Sequence, residues 1–125
     1  MLDPSPRASP QFTLDEDQIA VRDMARSFAD EVFAPNAVAW DEARHFPVAE
    51  MRKAAALGMG GVYIADDVGG SGLSRLTATL IFEALATGCP TVAAYISIHN
   101  LVAWMIDAHG SETQRKQWLD RKSVV

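Results

Sequence analysis

Residues 74–108, SRLTATLIFEALATGCPTVAAYISIHNLVAWMIDA, contain two long apolar stretches and decide the predicted fold. The first stretch, 74–87, opens on a serine that can cap a helix, and Glu83 is its only charged residue after the first turn. A Gly-Cys-Pro break at 88–90 separates it from the second stretch, 91–108. A helix that is apolar on every side is a buried helix in a globular protein. We therefore predict that these two helices form an antiparallel central pair.

The segment before residue 45 is predicted to form amphipathic helices that cover this pair. Thr13 and Glu16 stand three residues apart, as in a capping box, and mark the start of the first helix. Pro35 is predicted to end that helix and to lie in the first turn of a short second one, 35–44. The apolar residues at helical spacing in the first helix are Leu14, Val21, Met24, Ala25, Phe28 and Val32.

The remaining elements complete an all-α fold. A third helix is predicted at 48–57, with Gly58 placed to close it in a left-handed cap. A short extended run at 62–64 and a turn-rich stretch at 66–72 follow it. Ser111 begins the last helix in a second capping box. The prediction is a helical bundle of about six helices.

Composition and charge exclude several classes of protein. The chain has 125 residues, 49% of them apolar, and a net charge of −5, so it has no basic stripe with which to bind nucleic acid. The apolar helix over 91–106 is shorter than the roughly twenty residues that a membrane span needs, and it has polar residues at its middle. Cys89 is the only cysteine, which excludes an internal disulfide and a cysteine zinc cluster.

Motifs that carry chemistry are few. The glycine-rich turn at 69–72 lacks the lysine of a phosphate-binding loop and is interpreted as a tight turn before a helix cap. The histidines share no metal-ligand spacing, and His99 is predicted to be a hydrogen-bonded core residue. Cys89 is predicted to be a small buried residue. The acidic pairs at 41–42 and 66–67 are interpreted as solvated. No metal site is expected.

Three small residues on the second apolar helix form one candidate site. Ala93, Ala94 and Ser97 lie within about one turn of each other. Small side chains at these positions could line a cavity for an apolar ligand, or they could allow close packing of two helices. The pattern leaves both interpretations open.

The stretch at 57–74, LGMGGVYIADDVGGSGLS, resembles the N-terminal α-helical domain of the acyl-CoA dehydrogenases. That family has the same order of a leucine-glycine helix end, a short extended run, an acidic pair and a GGSG-L-S turn. The resemblance extends over 12–119. The stretch at 81–106, IFEALATGCPTVAAYISIHNLVAWMI, looks most like the branch of the family that acts on isobutyryl-CoA.

The resemblance implies an FAD-dependent enzyme that introduces an α,β double bond into a short branched acyl-CoA, as in valine breakdown. In such enzymes a glutamate removes the α-proton, the β-hydrogen passes to the flavin as hydride, and the electrons pass to an electron-transfer flavoprotein. The family is usually a homotetramer. Its first domain forms part of the wall around the acyl chain, which a gapless match from residues 88–89 places at Ala93, Ala94 and Ser97.

The same resemblance implies that this chain is inactive alone. The Thr-Glu-Pro flavin segment expected after Leu119 does not occur in the sequence, nor do an FAD-binding β-domain and a C-terminal helical domain. We therefore expect no catalytic, cofactor-binding or metal-ligating residue in this chain. The glutamates that do not match the catalytic position are Glu16, Glu31, Glu42, Glu50, Glu83 and Glu112. The alternative to an enzyme fragment is a stand-alone helical binding or interaction module.

The two ends of the sequence raise separate expectations. Residues 1–11 contain three prolines and no apolar run, so we expect a disordered tail. Residues 120–125, DRKSVV, can be encoded by gat-cgg-aag-agc-gtc-gtg, a common sequencing-library adapter read in frame, and tag would follow. We therefore expect a non-native terminus there, a natural basic terminus being the alternative. No targeting segment is visible, so a bacterial cytoplasm is expected, with the mitochondrial matrix as alternative.

Overall fold

The computed structural model describes residues 12–120, which are all-α and contain no strand. The prediction of about six helices is confirmed. The predicted tail at 1–11 and residues 121–125 of the predicted non-native terminus lie outside the described residues. The helices are α1 (Glu16–Phe28), α2 (Ala37–Ala43), α3 (Val48–Ala56), α4 (Arg75–Ala86), α5 (Pro90–His109) and α6 (Glu112–Leu119), with a π-helical turn at Ala29–Phe33 and a 3₁₀ turn at Asp66–Val68.

The first helix begins at a different cap from the one predicted. The Asp15 side chain accepts a hydrogen bond from the Gln18 backbone N–H at 2.7 Å, and the Gln18 side chain accepts one from the Asp15 N–H at 3.0 Å. The capping box predicted at Thr13 and Glu16 is therefore wrong, because an aspartate two residues later performs the same role. The short second helix likewise begins two residues later than predicted, after Asn36.

Other predicted caps are confirmed. The Ser74 hydroxyl accepts a hydrogen bond from the Thr77 N–H at 3.1 Å at the start of α4. Ser111 and Gln114 form the predicted reciprocal capping box of α6. Gly58 has a φ of +92° after α3, the left-handed conformation that its position as a helix cap predicted.

The main core lies where α4 packs against α1 on one side and α5 on the other. The predicted contact between the two apolar helices is therefore confirmed, and α1 is a second large partner of α4. Among the largest fully buried side chains of the described range are Phe33, Met59, Ile81 and Leu85. A smaller cluster beside α6 consists of Ile64, Val68, Ala103 and Leu119.

The prediction that α5 is buried on every side is wrong. One side of this helix remains accessible, and Ile98 and Met105 there are 58% and 52% exposed. The neighbouring helices α4 and α6 pack against other parts of α5 and leave this side uncovered. We call the accessible side the open face of α5; it consists of Ala94, Tyr95, Ile98, Leu101, Val102 and Met105.

The short extended run predicted at 62–64 is instead a series of turns. The Val62 C=O accepts a hydrogen bond from the Leu73 N–H, and the Ile64 C=O accepts one from the Gly72 N–H, both at 2.9 Å. The segment thus forms backbone hydrogen bonds with residues about ten positions later in the chain. Among residues 12–120, no helix combines the length and apolar character needed to cross a membrane.

Candidate functional site

A buried asparagine on α5 holds the loop at 57–74 in place. Asn100 is completely buried, and its Oδ1 accepts a hydrogen bond from the Val62 N–H at 2.7 Å. Its Nδ2 donates to the Met59 C=O at 2.8 Å and to the Ile96 C=O, one turn earlier on α5, at 2.9 Å. The amide thus makes three hydrogen bonds, two to the loop and one to its own helix.

An arginine of α6 holds the middle of this loop. The Arg115 guanidinium pairs with Asp107 of α5 at 2.8 Å and with Asp67 of the loop at 2.9 Å. The second oxygen of Asp107 accepts a hydrogen bond from the Ala65 N–H at 3.0 Å. The hydrogen bond from Arg115 lowers the pKa of Asp67, and the carboxylates around Arg115 raise the pKa of the guanidinium. The interpretation of Asp67 as merely solvated is therefore incomplete.

A cavity of about 570 Å³ lies between α2, the segment before α3 and the first two turns of α5. Its walls include Trp40 of α2, Met51 of α3, and Ala94 and Ile98 of the open face. The rings of Phe46 and Tyr95 meet edge to face with centroids 4.9 Å apart and form one border. The cavity adjoins the open face, so an apolar group could contact both.

The structure separates the three residues that the sequence analysis grouped as a candidate wall. Ala94 lines the 570 Å³ cavity, but the adjacent Ala93 is 4% exposed and belongs to the main core. Ser97 is half-buried, and its hydroxyl donates a hydrogen bond to the Ala94 C=O at 2.8 Å. Neither Ala93 nor Ser97 lines this cavity. Successive helical residues differ by about 100° in direction, which explains the separation.

Sequence reasoning missed most of the cavity's other walls. Ile98 could have been found, because it lies four residues after Ala94 on the same helical face. Trp40 and Phe46 gave no such signal, since they come from a different helix and from a connecting segment. Their approach to α5 depends on tertiary packing.

Two other predicted candidates have different outcomes. His99 is half-buried, and among residues 12–120 its ring makes no hydrogen bond, so the prediction of a hydrogen-bonded core histidine is wrong. Cys89 is 6% exposed, as predicted for a small buried residue. Over the range that the structure describes, no three His, Cys, Asp or Glu side chains are grouped to hold a metal ion.

The glycine-rich turn at 69–72 does not fit the pyrophosphate of FAD. All four of its backbone N–H groups donate hydrogen bonds within the loop, at 2.8 to 3.0 Å. The accepting carbonyl oxygens are those of Asp66, Ala65, Gly61 and Ile64. A phosphate cradle needs N–H groups that are free to point at the ligand. These hydrogen bonds support the interpretation of this turn as structural. The described residues give no basis for a chemical step that involves FAD.

Comparison with known proteins agrees with the resemblance. Residues 15–122 match the family model for the acyl-CoA dehydrogenase N-terminal domain. The mitochondrial isobutyryl-CoA dehydrogenase of Bos taurus is 54% identical over 106 residues, which are 85% of this chain and 26% of that protein. The mitochondrial isobutyryl-CoA dehydrogenase of Dictyostelium discoideum is 50% identical over 111 residues, 89% of this chain and 27% of that protein.

More distant relatives preserve the same fold. The short-chain specific acyl-CoA dehydrogenase of Clostridium acetobutylicum is 34% identical over 109 residues, 86% of this chain and 29% of that protein. A chain from the structure of the electron transferring flavoprotein of Acidaminococcus fermentans superposes with a TM-score of 0.83 at 27% identity. That superposition covers 91% of this chain and 31% of the other.

The chain spans about a quarter of the length of the two isobutyryl-CoA dehydrogenases. The family match nevertheless covers all six helices, from the cap of α1 to the end of α6. This chain belongs to the acyl-CoA dehydrogenase family, of which it represents the N-terminal helical domain.

Proposed function

We propose that this chain is the N-terminal domain of an FAD-dependent dehydrogenase of isobutyryl-CoA, or of a similarly short branched acyl-CoA, in valine breakdown. The identity of 54% and 50% to two isobutyryl-CoA dehydrogenases, against 34% to a short-chain specific relative, supports this choice of substrate. The domain is inactive by itself, because the catalytic glutamate and the flavin-binding residues of the full enzyme lie outside it.

The observation that carries the proposal is the open face of α5 beside the 570 Å³ cavity. A contiguous apolar surface of this kind on a folded domain is typical of a contact with a ligand or with another part of a protein. The small side chain of Ala94 would leave room there for a branched acyl group. The proposed wall comprises Ala93, Ala94 and Ser97, and Ala94 is its member at the cavity.

The proposal extends to the rest of the enzyme. FAD would accept the β-hydrogen, and an electron-transfer flavoprotein would receive the electrons from a homotetrameric enzyme. The likeness to a chain from an electron transferring flavoprotein structure supports a flavin-linked context. We place the enzyme in a bacterial cytoplasm, and the mitochondrial relatives support the matrix as the alternative.

Kinetic measurements on the full-length enzyme test the proposed wall of the acyl pocket. Ala94→Phe fills the cavity side of α5 and should lower kcat/KM for isobutyryl-CoA by about tenfold or more. Ala108→Phe is the matched control, since Ala108 is an exposed alanine at the other end of the same helix. Unchanged kinetics for Ala94→Phe, with FAD content intact, would remove Ala94 from the acyl pocket.

Sequencing of the source DNA across codons 115–125 tests the alternative of a stand-alone binding module. The read should come from an adapter-independent library. A reading frame that continues into a Thr-Glu-Pro segment supports the dehydrogenase. A stop codon retained after Val125 favours the stand-alone module.

A further inference from the structure

A second, smaller cavity lies between α3 and α5, on the other side of the Phe46–Tyr95 pair. Its volume is about 200 Å³. Apolar and aromatic side chains form most of its walls, among them Met51, Met59 and Tyr95. It shares Phe46, Met51 and Tyr95 with the 570 Å³ cavity, but none of the proposed wall residues Ala93, Ala94 and Ser97 lines it, and Met59 and His99 line this cavity and not the larger one.

Two basic side chains line this apolar cavity, Arg52 of α3 and His99 of α5. None of the other lining residues is acidic. Neither the Arg52 guanidinium nor the His99 ring makes a hydrogen bond or ion pair with any residue from 12 to 120. Arg52 therefore gives the cavity a positively charged group without a counter-charge among residues 12–120.

The size of the cavity limits the ligand. At about 200 Å³ this cavity is smaller than the 570 Å³ cavity, and it opens to solvent. Drug-sized ligands need cavities of at least about 300 Å³. A small ligand with an apolar body and a single negative head matches both the volume and the lining.

We propose that this cavity binds a short-chain aliphatic carboxylate of about five carbons. The alkyl chain contacts Met51, Met59 and Tyr95, and the carboxylate accepts hydrogen bonds from Arg52. The planar guanidinium suits a planar carboxylate, which it can bind through two parallel N–H groups. The His99 ring supplies a further N–H donor at the same cavity. Because the cavity is shallow and small, the expected Kd is about 1 mM.

Titration of the chain with pentanoate tests this proposal without flavin or turnover, so its outcome is separate from that of the dehydrogenase proposal. In protein labelled with ¹³C at the methionine methyl groups, pentanoate should shift Met59 saturably, because Met59 lines this cavity and not the 570 Å³ cavity, whereas Met51 lines both. Met105, which lies on the open face and outside this cavity, should not move. Pentanol and acetate should each bind at least about tenfold more weakly, because one lacks the charge and the other lacks the chain.

Two matched variants assign the charge recognition to Arg52. Arg52→Gln should raise the Kd for pentanoate about tenfold. Lys53→Gln removes the same charge from the next residue of α3, which does not line the cavity, and should leave the Kd unchanged. Both positions are exposed, so neither change should disturb folding.

Several results would overturn the proposal. Equal binding of pentanol and pentanoate, or wild-type affinity in Arg52→Gln, would show that the carboxylate is not recognised. Tighter binding of pentanoyl-CoA than of pentanoate at Met59 would show that the cavity prefers the thioester. The absence of any shift up to about 20 mM pentanoate would show that no site exists, since a Kd of about 1 mM gives near-saturation there.

Discussion

The two sides of α5 differ in how completely their groups are partnered. On the side that faces the loop at 57–74, Asn100 and Asp107 hold backbone N–H groups of the loop, and Arg115 pairs with Asp107 from α6. On the open face, Ile98 and Met105 lie more than half exposed. One helix therefore has one side that is bonded to the rest of the domain and one side that remains exposed. The difference shows that a mostly apolar helix can contact hydrogen-bonding groups on one side and present an apolar surface on the other.

The polar residues on α5 show which side is which. A buried amide or carboxylate is tolerated only where partners satisfy it, so Asn100 and Asp107 mark the side whose neighbours belong to this domain. In the part of the chain that the structure describes, every buried side-chain N or O atom has a hydrogen-bond partner. The open face contains no such group, which suits contact with an apolar surface.

Among the substitutions that test this comparison, the largest loss of stability is expected at Asn100. Asn100→Ala leaves the Val62 N–H and the Met59 C=O buried without partners, and should lower the free energy of unfolding by about 4 kcal/mol. Urea denaturation measures the loss. Asn36→Ala is the control, because Asn36 is exposed and makes a single hydrogen bond, to the Val32 C=O. A loss below about 1 kcal/mol at Asn100 would contradict its role in holding the loop.

A pair of isoleucines two residues apart compares the two sides directly. Ile96 is 5% exposed and Ile98 is 58% exposed. Ile96→Ala should lower the free energy of unfolding of this chain by about 3 kcal/mol, because it opens a cavity in the core. Ile98→Ala should change it by less than about 0.5 kcal/mol. Similar losses at both positions, measured by urea denaturation, would show that the open face is covered in the isolated chain.

Substitutions at two glycines test whether close packing or backbone conformation limits the loop more. A Cβ added at Gly70 would meet the backbone of Ile64, so Gly70→Ala should destabilise the chain by about 2 kcal/mol. Gly72 has a φ of +61° but open space around it, and Gly72→Ala should cost only about 1 kcal/mol. Thermal unfolding of both variants checks the order. The reverse order would mean that backbone conformation limits the loop more than close packing does.

The smallest effect is expected at Asp67, whose side chain is 58% exposed. Its pKa is lowered by the hydrogen bond from Arg115, so the pair contributes stability above the unfolded pKa of about 3.9 and loses it as the pH falls through the lower folded pKa. Asp67→Asn should therefore have a lower urea midpoint than the wild type at pH 7. The difference should disappear toward pH 2.

Asp23→Asn is the control for the loss of one carboxylate, because among residues 12–120 the Asp23 side chain pairs only with its sequence neighbour Arg22 and joins no two elements. A difference between Asp67→Asn and wild type that persists unchanged down to pH 2 would contradict the contribution of the Asp67–Arg115 pair.

Local signals predicted the elements well where the determinants lie close together in the chain. Ser74, Ser111 and Gly58 act as the caps their positions indicate. The start of α1 was missed by two residues because Thr13 and Asp15 are both good caps, and the choice between them depends on which hydrogen bonds the folded chain forms. The candidate site was predicted less well: Ala94 lines the cavity, whereas Ala93 lies in the core.

The sequence by itself determined the all-α class, the capped helices, the tight turn at 69–72 and membership of the family, because caps, periodicity and motifs depend on residues within a few positions of each other. Only the tertiary structure decided which side of α5 is buried, since apolar residues occur all round this helix and Asn100 and Asp107 identify the inner side only through the partners that they meet in the folded domain. The bonds of Asn100 to a loop about forty residues earlier likewise required the packed bundle. So did the cavities, whose walls come from helices far apart in the chain.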